Sequence, residues 1–271
     1  MDTWKFYAIT HTDHVVLNPT SPARLDELIG LLDLPPEPRV LDIGCGTGEL
    51  LVRLAEAHGA DRSTGTDASE VSGSGAGFRG VGVDDSPPFL ARARESVAQR
   101  VPRAAIELLE MDGADYDAAA ASFDLACCLG ASWVFGGHRG TLRALSRAVR
   151  PGGQVLVGEP FWKTEPAAEY LAWAGMTGAD FAGHAENVAI GESEGLVPLL
   201  AWVSSDEDWD RYETLMWRAA ARYGAVNPDD PDRSELLERV AHARHEYLAW
   251  GRETLGWALY LFGRPADLQP A

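Results

Sequence analysis

Residues Val40 to Leu50 read V-L-D-I-G-C-G-T-G-E-L, and this one stretch limits the chain to very few folds. An apolar run, Arg39 to Ile43, leads at once into glycines at three alternate positions, Gly44, Gly46 and Gly48. Leu50, Leu51, Leu54 and Ala55 then recur at helical spacing and predict an amphipathic helix. A buried strand, a tight glycine turn and a helix N-terminus together offer bare backbone N–H groups to a ligand, since glycine permits turns and close approaches that a side chain forbids. The spacing D-x-G-x-G-x-G is not the dinucleotide fingerprint G-x-G-x-x-G, because the third glycine, Gly48, comes one residue too early.

The rest of the chain alternates strands and helices. Ser21 caps a helix with Pro22 at its first position, running to about Leu32 until Pro35, Pro36 and Pro38 stop it. The helix after the glycines reaches about His58. Asp61 to Gly80 is rich in Gly, Ser, Thr and Asp with almost no apolar content, and reads as a mobile surface loop. With that loop removed, His58-Gly59-Ala60 runs into a second strand, Arg79 to Asp84, and Ser86-Pro87 start a helix to about Arg100. Strands follow at Ala105 to Leu109, Phe123 to Leu129 and Gln154 to Gly158, with a helix from Thr141 to Val149. Such alternation predicts an α/β chain with a parallel sheet covered by helices on both faces. Beyond it, Pro166 to Val188 reads as helix, Gly195 to Ser204 as a sixth strand and Leu255 to Phe262 as a seventh. Between the last two strands lie about fifty helical, aromatic residues, Asp206 to Glu253.

Charge and cysteine usage exclude several classes. A formal net charge of −18 is the opposite of the clustered Lys and Arg that track a phosphate backbone, so a nucleic-acid partner is not expected. Cys45, Cys127 and Cys128 cannot all pair, and two are adjacent in an apolar strand, which fits reduced thiols and a cytoplasmic setting. The charged and His-containing N-terminus does not read as a signal peptide. No segment approaches the ~20 apolar residues of a membrane helix.

Taken in order from Val40 to Gly158, these features resemble the class I S-adenosylmethionine (SAM) dependent methyltransferases. The resemblance implies a seven-stranded, mostly parallel Rossmann-like sheet with an N-terminal helical segment and a helical insert between strands six and seven. It implies one domain: residues 1–38 as an N-terminal cap, 39–160 as the cofactor core, 161–205 and 206–254 as acceptor-side elements or lid, and 255–264 as the last strand. Gly44, Cys45, Gly46 and Gly48 match the loop beneath the methionine part of SAM. Asp42 matches the acid that engages the cofactor amino group. The acid for the ribose hydroxyls has two contenders. Asp67 has the usual spacing from the glycines, whereas Asp84 stands at a strand end before an amphipathic helix, and context favours Asp84. Asp85 would flank the adenine. Met111, Asp112 and Gly113 match the adenine-amino region, and Leu129 and Gly130 the edge beside the sulfonium. The turn Arg150-Pro151-Gly152-Gly153 matches a structural turn of the family. The plainer alternative for Asp42 and Asp112 is a capping or turn carboxylate.

Methyl transfer needs alignment above all, worth roughly 7–11 kcal/mol, and a base only when the acceptor must lose a proton. Acceptor residues therefore carry no fixed signature. Candidates by position are Tyr7, His11 and His14 in the N-terminal segment, then Trp133, Phe135 and His138 after the fourth strand. Glu159, Phe161 and Trp162 follow the fifth, and His184 with Asn187 comes later. Glu159 is the favoured carboxylate, because a strand-end acid tends to face such a site. Each His has the plainer reading of a hydrogen-bonded structural residue, and each aromatic that of core. No third ligand joins His11 and His14 or His242 and His245, so no metal is expected. The segments N-P-T-S, G-A-S-W-V-F-G-G and G-E-P-F-W resemble a bacterial branch of the family. The expectation is methyl transfer from SAM to N or O of a small-molecule acceptor. The alternatives are a catalytically silent SAM-binding regulatory protein, a dinucleotide-dependent oxidoreductase and, less favoured, a polyamine synthase on the same fold. Oligomeric state stays open.

Overall fold

Seven segments of the chain have the β-branched and aromatic content of strands, and in the computed structural model, which describes residues 1–58 and 77–266, they join one sheet. They are β1 (Arg39–Ile43), β2 (Arg79–Asp84), β3 (Ala105–Glu110), β4 (Phe123–Leu129), β5 (Val149–Trp162), β6 (Val197–Val203) and β7 (Leu255–Gly263). Their order is β3-β2-β1-β4-β5-β7-β6. The first five run parallel, and β7 is antiparallel to both of its neighbours. Strand order reverses between β1 and β4, which opens a crevice at their carboxyl ends.

Two-residue periodicity divides the sheet's side chains between two cores. Leu125 and Cys127 of β4, with Trp257, Leu259 and Leu261 of β7, pack with Leu25 and Leu28 of α2 (Pro22–Gly30) and Leu51 and Leu54 of α3 (Glu49–Ala57). Ala126 and Cys128 of β4, with Ala258, Tyr260 and Phe262 of β7, pack instead with Leu142 and Leu145 of α5 (His138–Ala148). α4 (Pro87–Arg100) precedes α5 and connects β2 to β3. Asp124 ties the amino edge together, accepting from the Arg39 N–H at 2.8 Å and from Arg150 Nε at 2.5 Å. All three cysteines are buried free thiols. Among the described residues no helix is long and apolar enough to cross a membrane.

The strand positions follow the sequence expectation closely, with β5 running longer at both ends. One helix does not form as expected. Pro166 to Val188 splits into α6 (Ala168–Ala174) and α7 (His184–Ser193), because Gly175, at φ +66°, ends α6 in a left-handed cap and the Thr177–Asp180 turn follows. Asp67 and most of the predicted Asp61–Gly80 loop lie outside the described residues, and its last two residues begin β2.

The segment expected as a lid is anchored in the body of the protein. It consists of α8 (Asp206–Val226), started by a Ser205–Asp208 capping box, and α9 (Arg233–Glu246), which runs on through a π-helical turn at Tyr247–Gly251. Trp209 and Tyr247 are buried in the same core as α2 and α3. Farther along, Ala220, Leu236 and Val240 pack with Met1, Phe6 and Ile9 of the N-terminal region, so α1 (Thr3–Thr10), α8 and α9 form a joint cap. Lys5 reinforces it through Asp230 and Asp232, at 2.9 and 2.7 Å.

Candidate functional site

The loop between β1 and α3 turns on left-handed glycines: Gly44, Gly46 and Gly48 sit at φ +70°, +53° and +70°. A Cβ on Gly44 would come within 2.5 Å of Ala131, so Gly44 also lets the loop approach the end of β4. The Val83 carbonyl accepts from the N–H groups of Gly44 and Cys45, at 2.8 and 3.1 Å. Asp84 completes the turn, accepting from Gly46 N–H at 2.8 Å and Ser86 N–H at 2.9 Å. Gly48 serves as the N-cap of α3.

Above this loop is a cavity of about 720 Å³, within the size range of small-molecule sites. Its strand side is lined by Asp42, Gly44, Cys45, Gly46, Asp84 and Asp85. Asp112, Gly113, Leu129 and Gly130 continue that wall. Ten of the twelve residues singled out for the cofactor thus meet in one place, contributed by four strand ends. Gly48 does not line the cavity, and Met111 packs partly buried against the α5-side core. On the helical side the cavity is lined by Trp4, Tyr7 and His11, by Phe89 of α4, by Trp133 and by Tyr212 of α8.

The strand side favours a cation. Burial pushes the Asp42 carboxyl up to about 8, with the nearby Asp84 charge adding to it, and Asp84 is itself raised by burial. A ligand ammonium beside Asp42 would relieve both. Asn18, also on the cavity wall, has a buried Oδ1 with no partner, an acceptor ready for a ligand donor. Carboxylates for an ammonium and for ribose hydroxyls, a glycine loop under the chain and an orphaned amide oxygen fit SAM.

Other sequence candidates are placed elsewhere. Glu159 does not line the cavity: β5 parity puts it with Val155, Val157 and Phe161 on the α5 side. It is 3% exposed, accepts from Ser132 Oγ at 3.0 Å and is pushed up to about 7 by burial. Ser132 belongs to the turn that carries Ala131, Trp133 and Val134 into the cavity, so Glu159 braces that wall from behind. His138 is buried against the Asn187 carbonyl (3.1 Å) and lowered to about 4 by burial. His184 Nδ1 meets the Tyr260 hydroxyl at 2.9 Å, to which Asn187 Nδ2 also donates. Phe161 packs on His184, Trp162 on Tyr170 and Phe181, and Phe135 against the α5-side core. His14 contacts the Tyr212 carbonyl at 2.9 Å. Among the described residues no group of three His, Cys, Asp or Glu is placed to hold a metal ion.

Tyr212, Trp4, Phe89 and Asn18 were not singled out from sequence. The N-terminal aromatics and the aromatic content of the insert were visible, but nothing in their spacing says that α1 and α8 close over the same crevice.

The comparisons with known proteins agree in kind. Residues 41–155 match a family model described as a methyltransferase domain. The chain is 30% identical to the uncharacterised YjhP protein of Escherichia coli K12, over 96% of this chain and 98% of that one. A SAM-dependent methyltransferase from Geobacter sulfurreducens, crystallised with S-adenosyl-L-homocysteine, superposes with a TM-score of 0.82 at 29% identity, over 95% of this chain and 97% of that one. The 27-O-demethylrifamycin SV methyltransferase of Amycolatopsis mediterranei is 27% identical over 89% of this chain and 82% of its own length.

Proposed function

The chain belongs to the class I SAM-dependent methyltransferases, and from that premise we propose that it methylates N or O of a small molecule held between the strand ends and the α1–α8 cap. One observation carries this reading: the glycine loop, Asp84 and the aromatic residues of α1 and α8 line a single cavity, so donor and acceptor sites adjoin. The Amycolatopsis relative is named for methylating a small molecule, which supports an acceptor of that size.

When bound, SAM supplies a methyl group already activated on a sulfonium. The residues around it then have mainly to bind and align. Asp84 offers its carboxylate to the ribose hydroxyls while still holding the Gly46 and Ser86 N–H groups. Asp42 offers a carboxylate to the cofactor ammonium, and Asp85, Asp112 and Gly113 border the adenine. Gly130 and Ala131 leave the sulfonium edge open toward the helical side. There Trp4, Tyr7, Phe89, Trp133 and Tyr212 border the acceptor and restrict its orientation, and alignment is the main requirement of such a displacement. His11 stays neutral and hydrogen-bonded to Tyr212. Catalytic use of Glu159, His138 or His184 is not part of this reading, since none lines the cavity.

Calorimetric titration with S-adenosyl-L-homocysteine, followed by label transfer from SAM in a small-molecule extract, tests it. Micromolar binding and labelled low-mass products are expected. Failure of S-adenosyl-L-homocysteine to bind would sink the proposal.

A further inference from the structure

Tyr212 enters the cavity with its hydroxyl proton already committed. Thr10 Oγ1 donates to the Phe6 carbonyl at 2.9 Å, the back-bond that a helical threonine makes. Its one proton spent, Thr10 is left as the acceptor in its 3.0 Å contact with His11 Nδ1. Nδ1 therefore carries the imidazole proton, and Nε2 accepts from the Tyr212 hydroxyl at 2.9 Å. Burial, with His14 and Arg92 nearby, lowers His11 to about 3, so the imidazole does not take up a second proton at neutral pH. With that proton on the His11 side, a ligand in the cavity that Tyr212 lines has only the lone pairs of Oη to meet.

The rest of the helical side agrees. Trp4, Tyr7, Phe89 and Trp133 place four aromatic rings on the lining, and aromatic rings attract a cation. Among the described residues, those lining the cavity include no Lys or Arg to receive a phosphate or carboxylate, and the strand side adds Asp85 and Asp112. On the helical side, neither Tyr212 nor His11 is free to remove a proton from a hydroxyl.

Resting on the methyl-transfer reading above, the geometry points to an acceptor that is an amine without an anionic group, its N–H donated to Tyr212 Oη. The amine binds, gives one proton to water if it arrives as an ammonium, and attacks through its nitrogen lone pair. The N–C bond forms as the C–S bond breaks, the bonding electrons stay on sulfur as a neutral thioether, and the product's N–H proton leaves to water. No protein base is required, in keeping with a Tyr212–His11 pair that has none to offer.

Three probes that share an indole and a two-carbon arm discriminate: tryptamine, tryptophol and indole-3-propionate, with phenethylamine, 2-phenylethanol and 3-phenylpropionate as the smaller set. Each is incubated with labelled SAM and the full chain, and titrated into its S-adenosyl-L-homocysteine complex. Label is expected on an amine and on neither the alcohols nor the acids. Tyr212→Phe should raise the amine KM about tenfold, lower kcat by less, and leave S-adenosyl-L-homocysteine affinity within twofold. Transfer to an alcohol or acid, no amine bound or methylated by protein that holds S-adenosyl-L-homocysteine, or an unchanged KM in Tyr212→Phe would each overturn the inference. Absent S-adenosyl-L-homocysteine binding would instead overturn the methyl-transfer reading beneath it.

Discussion

Asp84 Oδ2 accepts a 2.8 Å hydrogen bond from the backbone N–H of Gly46, so the acid at the end of β2 fixes the glycine loop before a ligand arrives. The same carboxylate has lone pairs left for a ribose. Its removal should therefore act twice, loosening the loop and deleting ligand contacts.

For Asp84→Ala we expect S-adenosyl-L-homocysteine affinity to fall about 100-fold or more, given roughly 1.5–3 kcal/mol for each hydrogen bond to a charged group. Asp84→Asn should lose less, because one acceptor oxygen survives. Asp67→Ala should leave affinity nearly unchanged. Calorimetric Kd values decide, and a larger loss at Asp67 would reverse the assignment.

Asp42 predicts a proton count. Its carboxyl, raised to about 8, is roughly nine-tenths protonated at pH 7 in the free protein. A cofactor ammonium alongside would pull it down and ionise it, so binding at pH 7 should release close to one proton. Affinity should then rise from pH 6 toward 8 and fall above that, where an α-amino group itself loses its proton. Titrations in two buffers of different ionisation enthalpy measure the release, which Asp42→Asn should abolish. Equal apparent heats for the native protein in both buffers would refute this.

How much of this was legible in the sequence depends on whether the information was local. Strand, glycine turn and helix are encoded within Arg39–Ala57, and Asp84 was identifiable because a strand-end acid before a helix is a local pattern. Seven strands were placed because each is a short apolar run bounded by turn residues. The facing of Glu159 was less secure: a one-residue shift along β5 turns a side chain from one sheet face to the other. Tyr212 was out of reach, since its place depends on α8 docking through Trp209 and packing with α1, contacts about two hundred residues apart in sequence.

Glu159 gives a stability prediction with a definite sign. Its folded pKa, about 7, lies above the ordinary carboxyl value of 4.5, so between those values the native state binds more protons than the unfolded one. Its contribution to stability is thus greatest at acid pH and is lost as pH climbs from 4.5 to 7, by up to about 3 kcal/mol for this nearly fully buried group. Glu159→Gln should match the native protein near pH 5 and exceed it by about 1–3 kcal/mol at pH 8, in thermal unfolding followed across that range. A loss of kcat beyond 100-fold with no such stability difference would instead place Glu159 in the chemistry.

One side chain ties the N-terminal wall of the cavity to α4. Arg92 of α4 donates to the carbonyls of His11 and His14, both at 3.0 Å, and so pins the segment that carries Tyr7, His11 and Asn18 over the strand ends. These are charge-assisted bonds in a half-buried setting, together worth about 3 kcal/mol or more when both acceptors are left without a donor. Asp84, Asp42 and the glycine loop stand on other elements and keep their geometry without Arg92. The two binding functions should therefore separate. In Arg92→Ala, S-adenosyl-L-homocysteine affinity should drop less than tenfold, while the acceptor KM rises by at least as much and amide exchange accelerates across residues 3–14. Arg92→Lys, which reaches only one carbonyl at a time, should fall between the two. If amide exchange in that segment is unchanged in Arg92→Ala, then packing of α1 on α8 and α9 holds the wall by itself, and Arg92 has no part in closing the cavity.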